Sequence, residues 1–357
     1  MKLIHTSDIH LSSPLTAHLS QSKARERRRE LADALRRTVD EGERLGATGV
    51  IIAGDLFDTE EVSRRDLDSV IDLIDRHRNI TFFYLPGNHE GDALISGRAV
   101  LPRNLLVFGE EWTYFDAPGI TVAGRRSCKA DMFDTLRLDG GRKNIVVLHG
   151  ELRDRSSAPD VIGRQDARDR GISYLALGHY HGYRYELIDT GCTAVYCGAP
   201  AGRGFDETGE HGFVLIDTDT PHTDHTFIPL PGRRLHIVYA DVTTARSASD
   251  VERAVGYAVT GIPECDIVRA ELCGERHQGL HVDADALLYS FRPRFYHFEI
   301  TDRTKEAVSL EDYASDPSLT GEFVRLVLSS QELDGELRES VLSCGLAALR
   351  GECRYDV

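Results

Sequence analysis

The chain has 357 residues, 41% hydrophobic and 28% charged, long enough to bury a sizeable core and too long for one small domain. Its formal net charge of −16 is spread evenly, 28 basic against 36 acidic residues up to Gly232 and 14 against 22 beyond it, which excludes a basic domain that holds nucleic acid by neutralising phosphates unaided. No run reaches the roughly eighteen apolar residues of a membrane helix, Met1 leads straight into the strand-like Lys2–Thr6 with no signal-peptide layout, and the seven cysteines form no CxxC pair, so the expectation is a cytoplasmic protein with reduced, mostly buried thiols.

After the first strand, a polar helix is expected from about Lys23 to Leu45. Leu31, Leu35 and Val39 recur every four residues and Gly46 marks the end. Apolar, β-branched runs follow at Thr48–Ala53, Ile80–Leu85, Ile145–Leu148, Tyr174–Leu177, Thr193–Tyr196 and Gly212–Ile216. Several are apolar throughout, as strands of a sheet buried on both faces are. Pro229-Leu230-Pro231-Gly232 breaks the texture and is taken as a domain boundary. Beyond it the pattern predicts strands at Arg234–Val242, Asp266–Leu272 and Phe295–Ile300. A helix is expected at Ser249–Val259, capped by Ser247 or Ser249, and closing helices at Leu319–Ser330 and Leu333–Arg350.

Five short motifs stand at or just after the ends of predicted strands, where open α/β sheets gather functional groups. They are Asp8-Ile9-His10, Gly54-Asp55-Leu56-Phe57-Asp58, Gly87-Asn88-His89-Glu90, His149-Gly150-Glu151 and Gly178-His179-Tyr180-His181. Each is weak alone, since a strand-end histidine is usually a hydrogen-bonded structural residue; their recurrence behind apolar strands is not. Asp8 and His10, two apart on what reads as extended chain, would point to one side and grip one ion. Asp55 can bridge two ions, Asn88 offers an amide oxygen, and His149, His179 and His181 offer imidazole nitrogens. Mixed nitrogen and oxygen donors without thiolate suit Mn²⁺, Fe²⁺ or Zn²⁺. Two such ions about 3.5 to 4 Å apart clamp a phosphate and activate water, so the reaction class expected is phosphoester hydrolysis. His89, beside Asn88, is expected to face the substrate as general acid, oriented by Asp58; the alternative for Asp58 is a helix cap or turn carboxylate. Glu90 and Glu151 read as supporting or solvent-facing groups, and His5 as packed in its strand.

These motifs resemble the calcineurin-like metallophosphoesterase superfamily, with its DxH, GDxxD, GNH[D/E], H and GHxH pattern. The wording of Ile4–Leu11, Ala53–Asp58, Tyr174–His181 and Tyr196–Pro200, followed by Gly202–Glu207, is similar to the DNA repair exonuclease branch, the SbcD-like and YhaO-like nuclease subunits. The resemblance implies a four-layer αββα metallophosphoesterase sandwich over residues 1–232; residues 233–308 are similar in texture to the family's smaller α+β capping domain, and the residue pattern makes 309–357 a C-terminal helical segment. The resemblance implies one metal on Asp8, His10, Asp55 and His181 and the other on Asp55, Asn88, His149 and His179. Two Mn²⁺ ions, DNA as substrate, homodimerisation and an SMC-like coiled-coil ATPase partner are implied with them. Glu90 stands where many of these nucleases have Asp, and Ile9 where some have Trp.

Local basic residues are the remaining source of phosphate affinity. Lys23, Arg25, Arg27, Arg28 and Arg29 read as a solvated helix face, while Arg98, Arg103, Arg125, Arg126 and Arg203 fall in loops. Arg203, between two glycines that let the backbone approach closely, is the expected substrate-binding residue. The leading expectation is a metal-dependent DNA exonuclease or endonuclease. The alternatives are a phosphoesterase for a small molecule or a phosphoprotein, and a scaffold subunit that docks an ATPase through Leu319–Arg350.

Overall fold

The computed structural model describes residues 1–11, 13, 19–96, 100–156, 158–307, 313 and 316–349. In chain order the first part holds β1 (Lys2–Thr6), α1 (Gln21–Arg44), β2 (Ala47–Ala53), α2 (Arg64–Arg76), β3 (Thr81–Leu85) and β4 (Leu105–Val107). The hairpin β5 (Thr113–Ala117) and β6 (Ile120–Gly124) follows, then β7 (Lys143–His149), β8 (Glu151–Arg153), β9 (Val161–Gly163) and the single-turn α3 (Arg164–Ala167). β10 (Tyr174–Gly178), β11 (Arg184–Leu187), β12 (Thr193–Tyr196), β13 (Gly212–Asp217) and β14 (Asp224–Pro229) complete it.

These strands make two six-stranded sheets, ordered β14-β13-β1-β2-β3-β4 and β11-β12-β10-β7-β6-β5. Both are parallel at the centre, with antiparallel pairs toward the edges. The all-apolar strands explain the layering, because successive side chains leave on opposite faces. Val50 and Ile52 of β2 pack outward with Leu35 and Val39 of α1 and Val70 and Ile74 of α2. Ile51 and Ala53 turn inward to meet Ile145 and Val147 of β7 and Tyr174 and Ala176 of β10. On the far side Val146, Leu148, Leu175 and Leu177 are covered by Met132, Phe133 and Ala167. The fold is thus the expected α/β sandwich, but its fourth layer is built of loops, a 3₁₀ turn at Met132–Asp134 and the short α3.

α1 crosses from β1 to the parallel β2 and buries Leu31, Ala34, Leu35, Thr38 and Val39. Gly46, at φ +86°, ends it in the left-handed conformation that glycine adopts without a steric penalty. Of the expected basic face, Arg25, Arg28 and Arg29 do not share one fate with Arg27, which is buried and donates to the Gly202 carbonyl and to Glu30.

The chain continues through β15 (Leu235–Asp241), α4 (Ala248–Ala258), β16 (Ile267–Cys273), β17 (Glu275–Arg276), α5 (Ala284–Phe291), β18 (His297–Asp302) and β19 (Lys305–Glu306), then α6 (Leu319–Ser329) and α7 (Gly335–Leu349). β15, β16 and β18 form a three-stranded sheet. Ser247 caps α4 in a reciprocal box with Asp250. Two compact units divide the chain: Met1–Ile237 with Pro263–Arg269 and Arg294–Phe298, and Val238–Ile262 with Ala270–Pro293 and the described residues from Glu299 onward.

Among the described residues no helix is long and apolar enough to cross a membrane. Cys128, Cys192 and Cys197 are buried free thiols, while Cys265 and Cys344 are exposed and Cys273 is partly so. Cys353, Arg98 and Arg350 lie outside the described residues.

Candidate active site

β1, β2, β3, β7 and β10 each run into one of the five motifs at their C-terminal ends, so the sandwich delivers every motif to one place. The backbone there is bent out of the extended form. Asp8, His10, Asp55 and His179 have φ of 52°, 47°, 52° and 111°, left-handed values that cost a non-glycine residue about 1 to 3 kcal/mol and concentrate at functional sites. This corrects the expectation of an extended Asp8–His10 segment. The bends are held by long-range bonds: Asp8 N to the Gly54 carbonyl (3.1 Å), His10 N to the Asp55 carbonyl (2.9 Å), and His179 N to both Asp8 carboxylate oxygens (3.0 and 3.1 Å).

The imidazoles are oriented from behind. His149 Nδ1 donates to the Ala53 carbonyl (2.9 Å), which turns Nε2 to within 3.2 Å of Asp55 Oδ2. His181 Nδ1 lies 2.7 Å from Glu207 Oε1, with Nε2 3.9 Å from Asp8 Oδ1. His10 Nδ1 lies 2.9 Å from Asp58 Oδ1, with Nε2 3.6 Å from Asp55 Oδ2. In all three the outer nitrogen lies near an oxygen and the inner nitrogen faces a carboxylate; for His149 the Ala53 carbonyl is a hydrogen-bonded supporting acceptor, as in metal-binding histidines.

What the inner atoms lack is a hydrogen bond. Both ring nitrogens of His10, Nε2 of His149 and Oδ1 of Asp55 are buried without one. Orphaned buried polar atoms cost about 1 to 3 kcal/mol each, a cost that divalent cations held by these groups would remove. Two donor groups, Asp8, His10 and His181, and Asp8, Asp55 and His149, each bring ligand atoms within 4.8 Å of one another. Asp55 Oδ2 lies between the His10, His149 and His89 Nε2 atoms, at 3.6, 3.2 and 3.9 Å. His179 packs its ring against His149, centroids 5.7 Å apart. Asn88 is exposed and lines, with His149, a cleft of about 420 Å³ whose wall includes Gly87, Arg126, Ser127, Cys128 and Lys129.

Electrostatics follow from this crowding. Burial opposes charge on Asp55, but the His149 imidazole and the His10 and His89 rings hold its carboxyl down to about 2. His149 is pushed up to about 9, the Asp55 and Asp8 carboxylates outweighing burial. Burial lowers His10 to about 4, with the Arg203 charge adding to it.

Asp58 does not serve His89 as expected. It lies against His10 and accepts from Arg203 (3.2 Å), because the His10 and Asp55 loops are laced together, with Leu11 N bonded to the Leu56 carbonyl and Asp58 N to the Leu11 carbonyl. His89 projects half-exposed, its ring 5.4 Å from that of His10. Arg203, expected to meet substrate, is turned inward: Nε and one terminal nitrogen bind Glu207 Oε1 (2.9 and 2.7 Å), and the other binds Asp58. Arg125 is buried and Arg126 is paired with Asp92 (2.6 Å). Glu90 is fully buried and accepts from the backbone of Leu56, Phe57 and Gly87, tying two motif loops together. His5 is buried, Nδ1 3.0 Å from the Tyr174 hydroxyl. Glu207, held down to about 2 by its His181 and Arg203 bonds against the pull of burial, was not singled out from sequence. The only signal was its place in the Gly202–Glu207 stretch.

The motif glycines are where chains touch. A Cβ on Gly87 would enter the space of the Asp55 carboxylate and its backbone nitrogen, and one on Gly178 would strike the Ala53 carbonyl. Gly87→Ala is therefore expected to lower stability by about 3 kcal/mol, roughly 6 to 12 °C in Tm for a unit of this size. A melting temperature within about 2 °C of the parent overturns that reading.

Residues 1–195 match the calcineurin-like phosphoesterase family. Over 245 residues, 61% of this chain, the sequence is 26% identical to the DNA double-strand break repair protein Mre11 of Saccharolobus solfataricus, and covers 60% of that protein's length. Among solved structures, a Thermus thermophilus protein (13% identity, 63% of this chain and 98% of that one, TM-score 0.41) and a dimetal phosphatase from Danio rerio (12%, 60% and 92%, TM-score 0.39) are similar.

Proposed function

From the premise that the chain belongs to the calcineurin-like phosphoesterase family, we propose that it is a two-metal DNA phosphodiesterase, an exonuclease or endonuclease of the repair type. The observation that carries the metal chemistry is the set of buried His10, His149 and Asp55 atoms that face one another without hydrogen bonds. In this reading Asp8, His10, Asp55 and His181 hold one ion and Asp55, Asn88, His149 and His179 the other. The donor set is nitrogen and oxygen only, which favours Mn²⁺ over softer ions. Ions held by these residues would supply positive charge to the phosphoryl oxygens and would activate water.

The chain's own residues do the rest. Ala53, Glu207 and Asp58 keep the three imidazoles turned inward. His89, half-exposed at the mouth of the site, holds a proton at Nε2 for the leaving oxygen. The cleft beside Asn88 and His149 gives room for a nucleotide-sized group next to the reacting phosphate.

DNA as the substrate is supported by the likeness to a repair protein over 61% of the chain. The net charge of −16 weighs the other way and favours, as a second reading, a small or protein-borne phosphoester. An SMC-like ATPase partner and a homodimer belong to the first reading, where they supply the DNA affinity that the acidic surface lacks. End-labelled linear DNA incubated with Mn²⁺ is expected to be degraded, and EDTA to stop the reaction. An enzyme that hydrolyses phosphopeptides or bis-p-nitrophenyl phosphate while leaving DNA intact, alone and with the ATPase, overturns the DNA reading and keeps the phosphoesterase.

A further inference from the structure

The arginines around the site are almost all committed to carboxylates. Arg203 is held by Glu207 and Asp58, Arg153 by Glu151 (2.8 Å), and Arg164 by Glu186 (2.7 Å) and Asp154. Arg184 is different. It opens β11 directly opposite Tyr196 of β12 and is exposed, and among the described residues no carboxylate lies within ion-pair distance of it.

Its guanidinium is nevertheless fixed in place. The central carbon lies 3.5 Å from the centre of the Tyr180 ring and 4.6 Å from that of Tyr196, and the two rings meet edge to face at 4.9 Å. Both rings are anchored to the segment that follows His149. Tyr196 donates its hydroxyl to the Gly150 carbonyl and accepts from Leu152 N, each at 2.8 Å, and Tyr180 donates to Glu151 (2.9 Å). Tyr180 itself stands between His179 and His181 in the chain, its ring 5.3 Å from that of His179. The cation is thus mounted on a platform shared by two of the site's loops.

Stacking uses the face of a guanidinium; one N–H group of Arg184 also reaches the Tyr196 hydroxyl, and the remaining N–H groups face outward, free to meet phosphate oxygens. A side chain held by aromatic rings also loses less rotamer freedom on binding. We infer that Arg184 is the substrate-binding residue of this site, gripping a backbone phosphate next to the one being hydrolysed. It takes the part the sequence assigned to Arg203. This rests on the DNA reading above, since only a substrate with a second phosphate can use it.

The test combines binding and turnover for the full chain with Arg184→Gln and Arg184→Lys. With a labelled single-stranded oligonucleotide in EDTA, fluorescence anisotropy should show Kd raised about three- to tenfold by Arg184→Gln, and the log–log salt slope reduced by about 0.7 to 1. With Mn²⁺ the same variant should raise KM for the oligonucleotide by a similar factor and leave kcat within about twofold. Arg184→Lys, which keeps the charge without the fork, should fall between the two. Unchanged Kd and KM in Arg184→Gln overturn the inference, as does an equal loss of kcat/KM on bis-p-nitrophenyl phosphate, which would mark a merely structural role. A parent protein that neither binds nor cleaves DNA is a separate result, seen before any variant is made. Seen both alone and with the ATPase, it removes the DNA reading and this inference together.

Discussion

Asp55→Asn is expected to lower turnover of any phosphodiester by about three orders of magnitude or more and to reduce the Mn²⁺ that co-purifies or is retained on titration. The magnitude follows from losing several kcal/mol of charge stabilisation at the reacting phosphate. Asparagine keeps one oxygen but removes the negative charge that faces three imidazole nitrogens at 3.2 to 3.9 Å. The fold should survive, because the Asp55 carbonyl that receives His10 N is backbone. Without metal the substitution also carries a pH signature. The Asp55 carboxyl, held at about 2 against an ordinary 3.8, contributes about 2 kcal/mol that is fully present above pH 4 and is lost as pH falls from 4 towards 2. The variant should lack that part of the acid unfolding transition. Metal content by mass spectrometry, turnover and acid melts check the three statements; parent-like metal binding with parent-like kcat would remove Asp55 from the site.

His89→Ala is expected to separate chemistry from metal binding. Its ring is half-exposed and meets the site at 3.9 Å from Asp55 Oδ2 and through the His10 ring, so Mn²⁺ stoichiometry should stay that of the parent. kcat on DNA should fall by about 10² to 10⁴, the usual worth of a positioned general acid. The loss should shrink when the leaving group is p-nitrophenolate, which departs without a proton. Equal losses on both substrates, or metal lost along with activity, contradict the assignment.

The strands were legible because burial on both faces leaves a plain mark. Ile51 and Ile52, or Val146 and Val147, are apolar in succession, and each found a different layer. Predicted ends fall within about two residues of those observed for the helix α1 and the strands carrying the motifs. The helix α2 was not predicted: it buries only Val70, Leu73 and Ile74 among many charges. The hairpin β5–β6 and the edge strands β11 and β14 were also missed. β5, β11 and β14 expose alternate or most residues, so their apolar content is thin.

The sequence by itself marked the candidate donors that the fold brings together, since donor identity and their place behind apolar strands are local properties. It also placed the glycines that mark close approach. Tertiary structure alone decided how those side chains are held. Asp58 went to His10 and not to His89, Glu207 took the back of His181, Arg203 was drawn inward, and Arg184 was left open to solvent on two tyrosines. Each of these pairings depends on which loops, far apart along the chain, the two sheets bring within reach of one another. Spacing along a strand carries no trace of that distance, and burial then selects the partner by the cost of leaving a charged or polar atom without one.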